Sequence, residues 1–371
     1  MAKRLGFIFP IIFYLLFIFP SSFHAEPVEE SKPKHFLQHI FIISVEGLNY
    51  EGYVGVNCAN LKHIAGEGVK DEKSLALKTD TIESAQASLL TGALPEEHKF
   101  VTKNDKVQVE SLFDILKKQG KSFVLIDSPE GKLRPLAHSD TSYLKSEEDL
   151  TDTGVLTKAY DHFAKNRPYL TFIYLNDCME NLLKLDDKAY YNSVKSLDQG
   201  IGEFIAKLRK ENLYYNSLII ITSPRSSSPS NLVPLIIKGP GCKRNIQTNN
   251  TIILDVLPTI NKVTGLPKPY SAGGIPIYDA LETVASENEY LLKNWVAELK
   301  SERIKNFNNY YSLEEELTST KHHIASIKEE KQSIFNFLGE KEETISKLKL
   351  RLSWERLLYF GVFIFMLVGY Y

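Results

Sequence analysis

The residues best suited to chemistry in this chain stand just beyond its apolar, isoleucine-rich runs. Glu46 follows His39–Val45, Asp177 follows Tyr169–Leu175, and Ser223, Pro224, Arg225 and Ser226 follow Ser217–Thr222. The segment from Leu77 to Pro95 adds hydroxyls at Thr79, Thr81, Ser84 and Ser88. Ligands of open α/β sheets gather beyond the carboxyl ends of the strands, so these groups are expected on one rim. Two carboxylates with waters are hard oxygen donors and suit at most one weakly held Mg²⁺ or Ca²⁺. Arg225 adds a fixed cation. Buried carboxylates lacking a counter-ion are costly, so its guanidinium is expected to pair with Asp177 or Glu46. The contrary reading makes the Ser- and Pro-rich stretch 223–231 a plain exposed loop.

These groups need a scaffold. Besides the runs above, Phe123–Ile126 and Leu232–Ile237 read as strands, and Val109–Lys118 and Lys188–Lys210 read as helices between them. In the last, Tyr190, Val194, Leu197, Ile201, Phe204, Ile205 and Leu208 recur at helical spacing. Strands separated by helices predict an α/β domain over 37–281, a mostly parallel sheet sandwiched by helices. From about 282 to 356 the chain turns to Glu, Lys, Asn and Ser. Positions 310, 313, 317, 320, 324, 327, 331, 334, 338, 341, 345, 348 and 352 form a seam in which all but Thr320, Lys331 and Lys341 are apolar. That seam predicts a coiled coil and self-association; the plainer reading is a long helix packed on its own domain.

The ends point to a membrane. Lys3 and Arg4 precede the apolar stretch Leu5–Phe19, so 1–25 reads as a signal peptide or an uncleaved signal anchor, followed by a charged, Pro-containing linker at 26–36. Leu357–Tyr371 is a second apolar run, short for a hydrocarbon layer of about 30 Å, and is expected to span or associate with the membrane. Lys347, Lys349, Arg351 and Arg356 precede it, which leaves its orientation open between the positive-inside tendency and a translocated domain. The globular part is expected to be extracytoplasmic or lumenal. With 44 basic and 46 acidic residues the chain is near neutral, which argues against a nucleic-acid partner. Cys58, Cys178 and Cys242 lack zinc-ligand spacing. Asn249-Asn250-Thr251 has the glycosylation acceptor pattern.

The order of segments resembles the alkaline phosphatase superfamily, in its type I phosphodiesterase/nucleotide pyrophosphatase branch. IISVEGLN is similar to the first strand of that branch, TDTIESAQASLLTGALPEEHKF to its nucleophile loop and helix, YLTFIYLNDCMEN to the strand bearing an Asp and a later His, and LVPLIIKGPG and TIILDVLPTINKVTGLPKP to its closing elements. The likeness covers nearly all of 37–281. Family members hold two metal ions with three Asp and three His, and attack with a Thr or Ser alkoxide; the metals neutralise oxygen charge and lower the hydroxyl pKa. Carried over, the first Asp falls on Glu46, the second on Asp177, and its His on Asn181. The Asp-His pair falls on Pro224 and Arg225, the last His falls among Ser230 and Asn231, and the nucleophile lies near Thr81. The resemblance thus implies a degenerate site, with Arg225 in the vacated cation position. SPRS has a superficial likeness to the sulfatase nucleophile motif, but its spacing and its strand are wrong. His63, His98, His138 and His162 are scattered and read as surface or helix residues. Asp127 and Glu130 either reach the rim or belong to a turn starting at Ser128-Pro129.

Three functions compete. The first is a non-hydrolysing, membrane-associated binding or scaffold module that takes a protein or an anionic ligand in the old cleft and needs no cofactor. The second is a hydrolase using Glu46, Asp177 and Thr81 with one metal on a phosphate ester. The third is a coiled-coil tether with the globular domain as a spacer.

Overall fold

The computed structural model describes residues 36–137, 143–146, 150–226, 230–282 and 289–369, with side chains from 296 to 366 in the last stretch. The segment 1–25, nearly all of 26–36, and His138 lie outside the described residues.

The strands are β1 (His39–Val45), β2 (Val69–Leu75), β3 (Phe123–Asp127), β4 (Tyr143–Lys145), β5 (Leu170–Leu175), β6 (Ser217–Thr222), β7 (Leu232–Lys238) and β8 (Ile246–Gln247). They form one sheet in the order β4-β3-β5-β1-β6-β7-β2-β8. Pairing is parallel except that β7 runs against both β6 and β2. The mostly parallel, helix-covered sheet expected from the sequence is therefore present. Alternation along β1 explains why it reads as a continuous apolar run: Ile40 and Ile42 enter the core on one face, and Phe41, Ile43 and Val45 enter the core on the other.

The helices are α1 (Tyr50–Gly55), α2 (Ala59–Gly66), α3 (Ile82–Thr91), α4 (Pro95–His98), α5 (Leu112–Lys118), α6 (Asp152–Asn166), α7 (Asp177–Leu183), α8 (Asp187–Lys210), α9 (Val256–Thr264) and α10 (Glu289–Gly369). Residues of α3, α5 and α9 pack on the first face, and residues of α1, α2, α6 and α8 pack on the second. All seven apolar residues named above for Lys188–Lys210 are buried. β2, β4 and β8 were not expected. β2 reads VKDEKSL because its polar positions fall on an interrupted register, with an irregularity between Asp71 and Ser74. Its buried Asp71 accepts from the Thr251 hydroxyl at 2.8 Å, which satisfies a carboxylate that a strand pattern would reject.

α10 begins its described side chains docked on the domain. Lys300, itself buried, donates to Asp279 at 2.8 Å, and Arg303 forms a forked pair with fully buried Asp255 at 2.8 and 2.5 Å. Ile304 and Phe307 pack on the first core face, and Tyr311 is buried. Beyond Tyr311 the described helix is exposed throughout. Among the described residues no helix is long and apolar enough to cross a membrane. The spanning tail expected at 357–371 is therefore not met there.

Candidate functional site

The site is built at the carboxyl ends of β1, β5 and β6. β1 delivers Glu46, fully buried, into the sheet edge, where its amide donates to Leu175 O at 2.8 Å. Gly47 follows with φ +81°, and a Cβ there would lie 2.8 Å from the Met179 backbone. The glycine is what lets the turn after β1 press against α7.

Both Glu46 carboxylate oxygens are engaged. Oε1 accepts from Arg225 Nε at 2.7 Å, and Oε2 accepts from Gln86 Nε2 at 3.1 Å. Gln86 in turn accepts from the Ser44 hydroxyl at 2.8 Å, which fixes its amide orientation. Arg225 also donates from Nη1 to Asp80 O at 3.2 Å. Its guanidinium therefore bridges the β1 carboxylate and the loop that leads into α3. Of the two acids considered for it, Arg225 takes Glu46. Burial pushes the Glu46 carboxyl up from its ordinary range, and the charge and hydrogen bond of Arg225 oppose that shift. The stretch after β6 is not a plain exposed loop. Ser223 and Ser226 are buried, Leu77 N donates to Pro224 O at 3.1 Å, and Leu77 and Arg225 form a parallel bridge. Residues 227–229 lie outside the described residues.

Thr81 is the N-cap of α3; its hydroxyl accepts from Ser84 N at 3.2 Å, and Ile82 becomes the first helical residue. It lines a cavity of about 940 Å³ that also takes in Ser84, Ser226 and Asn231, with Tyr310, Tyr311, Glu314 and Glu315 of α10 along one wall. The charges on this wall and rim are Asp80, Glu96, Glu314 and Glu315 against Lys78, and Lys78 is paired with Glu315 at 2.7 Å. The cleft is acidic.

Asp177 faces elsewhere. It opens α7, and its Oδ2 accepts from Asp152 N at 2.9 Å, while Asp152 Oδ1 accepts from Asn176 N at 2.9 Å and Asp177 N at 3.3 Å. The two aspartates thus cap the first turns of α6 and α7 reciprocally. The second Asp152 oxygen is buried without a hydrogen-bond partner. Burial, and then the facing Asp177 carboxylate, push the Asp152 carboxyl well above the usual range; burial also raises Asp177. Asn181 donates to Asp177 O at 3.1 Å and to the Ser193 hydroxyl at 2.6 Å. Ser230 donates to Glu51 at 3.2 Å, and Asn231, at φ +50°, accepts Ala76 N through its carbonyl at 2.8 Å.

The residues present do not fit the family's pair of metal ions. Glu46 is occupied by a guanidinium and an amide, Asp177 is turned to a helix start, and the side chains of Asn181 and Ser230 donate to other partners. Among the described residues, no group of three or more His, Cys, Asp or Glu is placed to hold a metal.

His98 closes α4 and is the helix residue of the two alternatives, not a surface one. It is fully buried, its Nδ1 accepts from Phe100 N at 3.0 Å, and its Nε2 lies 2.9 Å from the Ser88 hydroxyl, which makes it a neutral bracket between α3 and the loop after α4. Burial lowers its pKa to about 4. Asp127 belongs to the turn: it accepts from Ser128 N at 2.7 Å, Leu133 N at 2.8 Å and the Tyr143 hydroxyl at 3.1 Å. Gln86 and Asp152 escaped sequence reasoning. Gln86 carried a signal, being the one long polar side chain on the otherwise small or apolar face of 84–91. The three cysteines are buried free thiols.

Geometry and sequence comparisons agree on the class. The chain has the fold of the alkaline phosphatase superfamily, and the sulfatase family within it matches residues 137–266. Arylsulfatase K of Canis lupus familiaris is 29% identical over 140 residues, 33% of this chain and 26% of the relative. A putative extracellular sulfatase, the Sulf-1 homolog of Caenorhabditis elegans, is 26% identical over 149 residues, 35% of this chain and 21% of the relative. The chain therefore spans about a quarter of the curated relatives it matches. Among solved structures, a putative sulfatase from Bacteroides thetaiotaomicron superposes with TM-score 0.55 at 14% identity, covering 67% of this chain and 75% of that one. Human ectonucleotide pyrophosphatase/phosphodiesterase 5 superposes with TM-score 0.54 at 12% identity, covering 66% and 100%. Such structural likeness carries the fold alone, and the family model and curated relatives named above that match part of the sequence are sulfatases.

Proposed function

We propose that this protein is a membrane-associated, extracytoplasmic binding module that has the sulfatase and alkaline phosphatase fold but does not turn over sulfate or phosphate esters. One observation carries the reading: Arg225 Nε stands 2.7 Å from fully buried Glu46 and reaches the carbonyl just before Thr81. A guanidinium between the β1 carboxylate and the nucleophile position supplies the positive charge that a metal would bring, yet it cannot ionise a hydroxyl as a bound metal does. Thr81 spends its hydroxyl oxygen on capping α3.

The acidic lining changes the class of ligand. An anion would meet Asp80, Glu96 and Glu314, whereas a Lys- or Arg-rich peptide segment would be attracted. α10 forms one wall of the cavity, so ligand bound there contacts the scaffold helix as well as the domain.

Hydrolysis of p-nitrophenyl sulfate and of bis-p-nitrophenyl phosphate is expected to equal that of the Thr81→Ala variant, with or without added Mg²⁺, Ca²⁺ or Zn²⁺. Metal-dependent turnover lost in Thr81→Ala would establish the competing hydrolase, for which the placement of Thr81 in the cavity is the supporting observation.

A further inference from the structure

Among the described residues nothing packs on the seam of α10 beyond the docked segment. Leu317, Ile324, Ile327, Ile334, Leu338, Ile345, Leu348 and Leu352 are each 49–57% exposed, in a row about 50 Å long at ~1.5 Å per residue. Two lysines interrupt this row, Lys331 at an a position and Lys341 at a d position. A cation in an apolar seam is a penalty unless a partner offers charge to it.

The partner that fits is a second copy, and the lysines specify its direction. Glu330 sits at g beside Lys331, and Glu342 sits at e beside Lys341. In a parallel, in-register pair each g residue faces the e residue of the following heptad on the other helix. Phe335 at e then faces the partner's Glu330, and Phe337 at g faces the partner's Glu342. Lys331 already lies over the Phe335 ring at 5.7 Å, and Lys341 lies over the Phe337 ring at 5.1 Å. Each seam lysine thus leans toward the side on which the copy's glutamate would stand. We infer that α10 pairs with α10 of a second chain as a parallel, in-register two-stranded coiled coil over 317–352, held in register by Lys331 with the partner's Glu330 and Lys341 with the partner's Glu342. The inference deepens the scaffold reading and rests on it: pairing in this direction places two acidic clefts at one end of a common stalk.

The test uses the full chain in mild detergent. Light scattering at micromolar concentration should give twice the chain mass. Leu338→Cys should yield a disulfide-linked dimer when oxidised with copper phenanthroline; the native thiols are buried, so the parent chain is the control. Glu330→Lys with Glu342→Lys, and separately Lys331→Glu with Lys341→Glu, should each be largely monomeric, and mixing the two should restore the doubled mass. A monomeric parent chain, a trimer, or charge-swapped variants that fail to pair on mixing would overturn the inference. None of these substitutions touches the cleft, so failure here leaves the inactivity of the site standing, and ester turnover would leave the pairing standing.

Discussion

Two buried carboxylate centres lie on the same edge of the sheet and are stabilised differently. At the end of β1, Glu46 has a guanidinium and an amide, one on each oxygen. At the end of β5, Asp152 and Asp177 face each other with only backbone amides for partners, and one Asp152 oxygen has none. The first centre sets a fixed cation against its carboxylate, which opposes the upward push of burial; the second sets two carboxyls against each other, and burial raises both. The contrast teaches that the carboxylates on this rim are engaged by the protein's own groups: one centre is a sealed ion pair, the other a reciprocal pair of helix caps.

Breaking the first centre should have the largest effect. Arg225→Ala strands a buried carboxylate, and the expected loss is about 3–5 kcal/mol in denaturant unfolding. Adding Glu46→Gln should recover most of it, since the Gln86 contact survives in neutral form. The comparison fails if the double variant is as unstable as the single one. Arg303→Ala should cost about 1.5–3 kcal/mol, because Asp255 keeps Ile252 N and Ile275 N. Hydrogen exchange across 296–311 should rise with it, while 317–352 should not change.

The second centre predicts a pH dependence of opposite character to ordinary acid denaturation. The Asp152 and Asp177 carboxyls are raised in the fold, chiefly by burial, and Glu46 and Asp127 elsewhere on the rim are raised in the same direction. Above the ordinary carboxylate range the unfolded chain has released protons that the native chain still holds, so this contribution is fully present at low pH and is lost as pH rises through the folded values. Asp152→Asn keeps an oxygen for the two amides and removes the titration. It should flatten the fall in stability between mildly acidic pH and pH 8, and raise Tm at pH 8 by a few degrees relative to the parent. A steeper fall in the variant would refute this account of Asp152. The smallest effect is expected at Thr81→Ala, about 1 kcal/mol for the lost cap.

The sheet was legible because its central strands are buried on both faces and read as apolar runs; β1 and β6 coincide with the expected bounds. β2 was not, because Asp71 is satisfied by Thr251, far away in sequence. At the site, strand-end position brought out Glu46 and Arg225, since ligand-bearing edges follow apolar runs. Asp177 was placed correctly at a strand end, but its actual partner was not legible, because nothing local to 150–155 announces that Asp152 caps the helix Asp177 begins. The docking of α10 rests on Arg303 and Asp255, a pairing that no periodicity reveals. The acidity of the cleft comes from Asp80 and Glu96 of the domain together with Glu314 of that same helix, residues far apart in sequence.

The claim on which the account depends is that a protein cation has taken the place of the family's metals. Mass-spectrometric metal analysis of the intact chain, purified without chelator and re-equilibrated with Zn²⁺ and Ca²⁺, tests it directly. The account predicts no retained divalent ion, with retention unchanged in Thr81→Ala. A pair of tightly held ions per chain, lost on substituting Glu46 or Asp177, would contradict it.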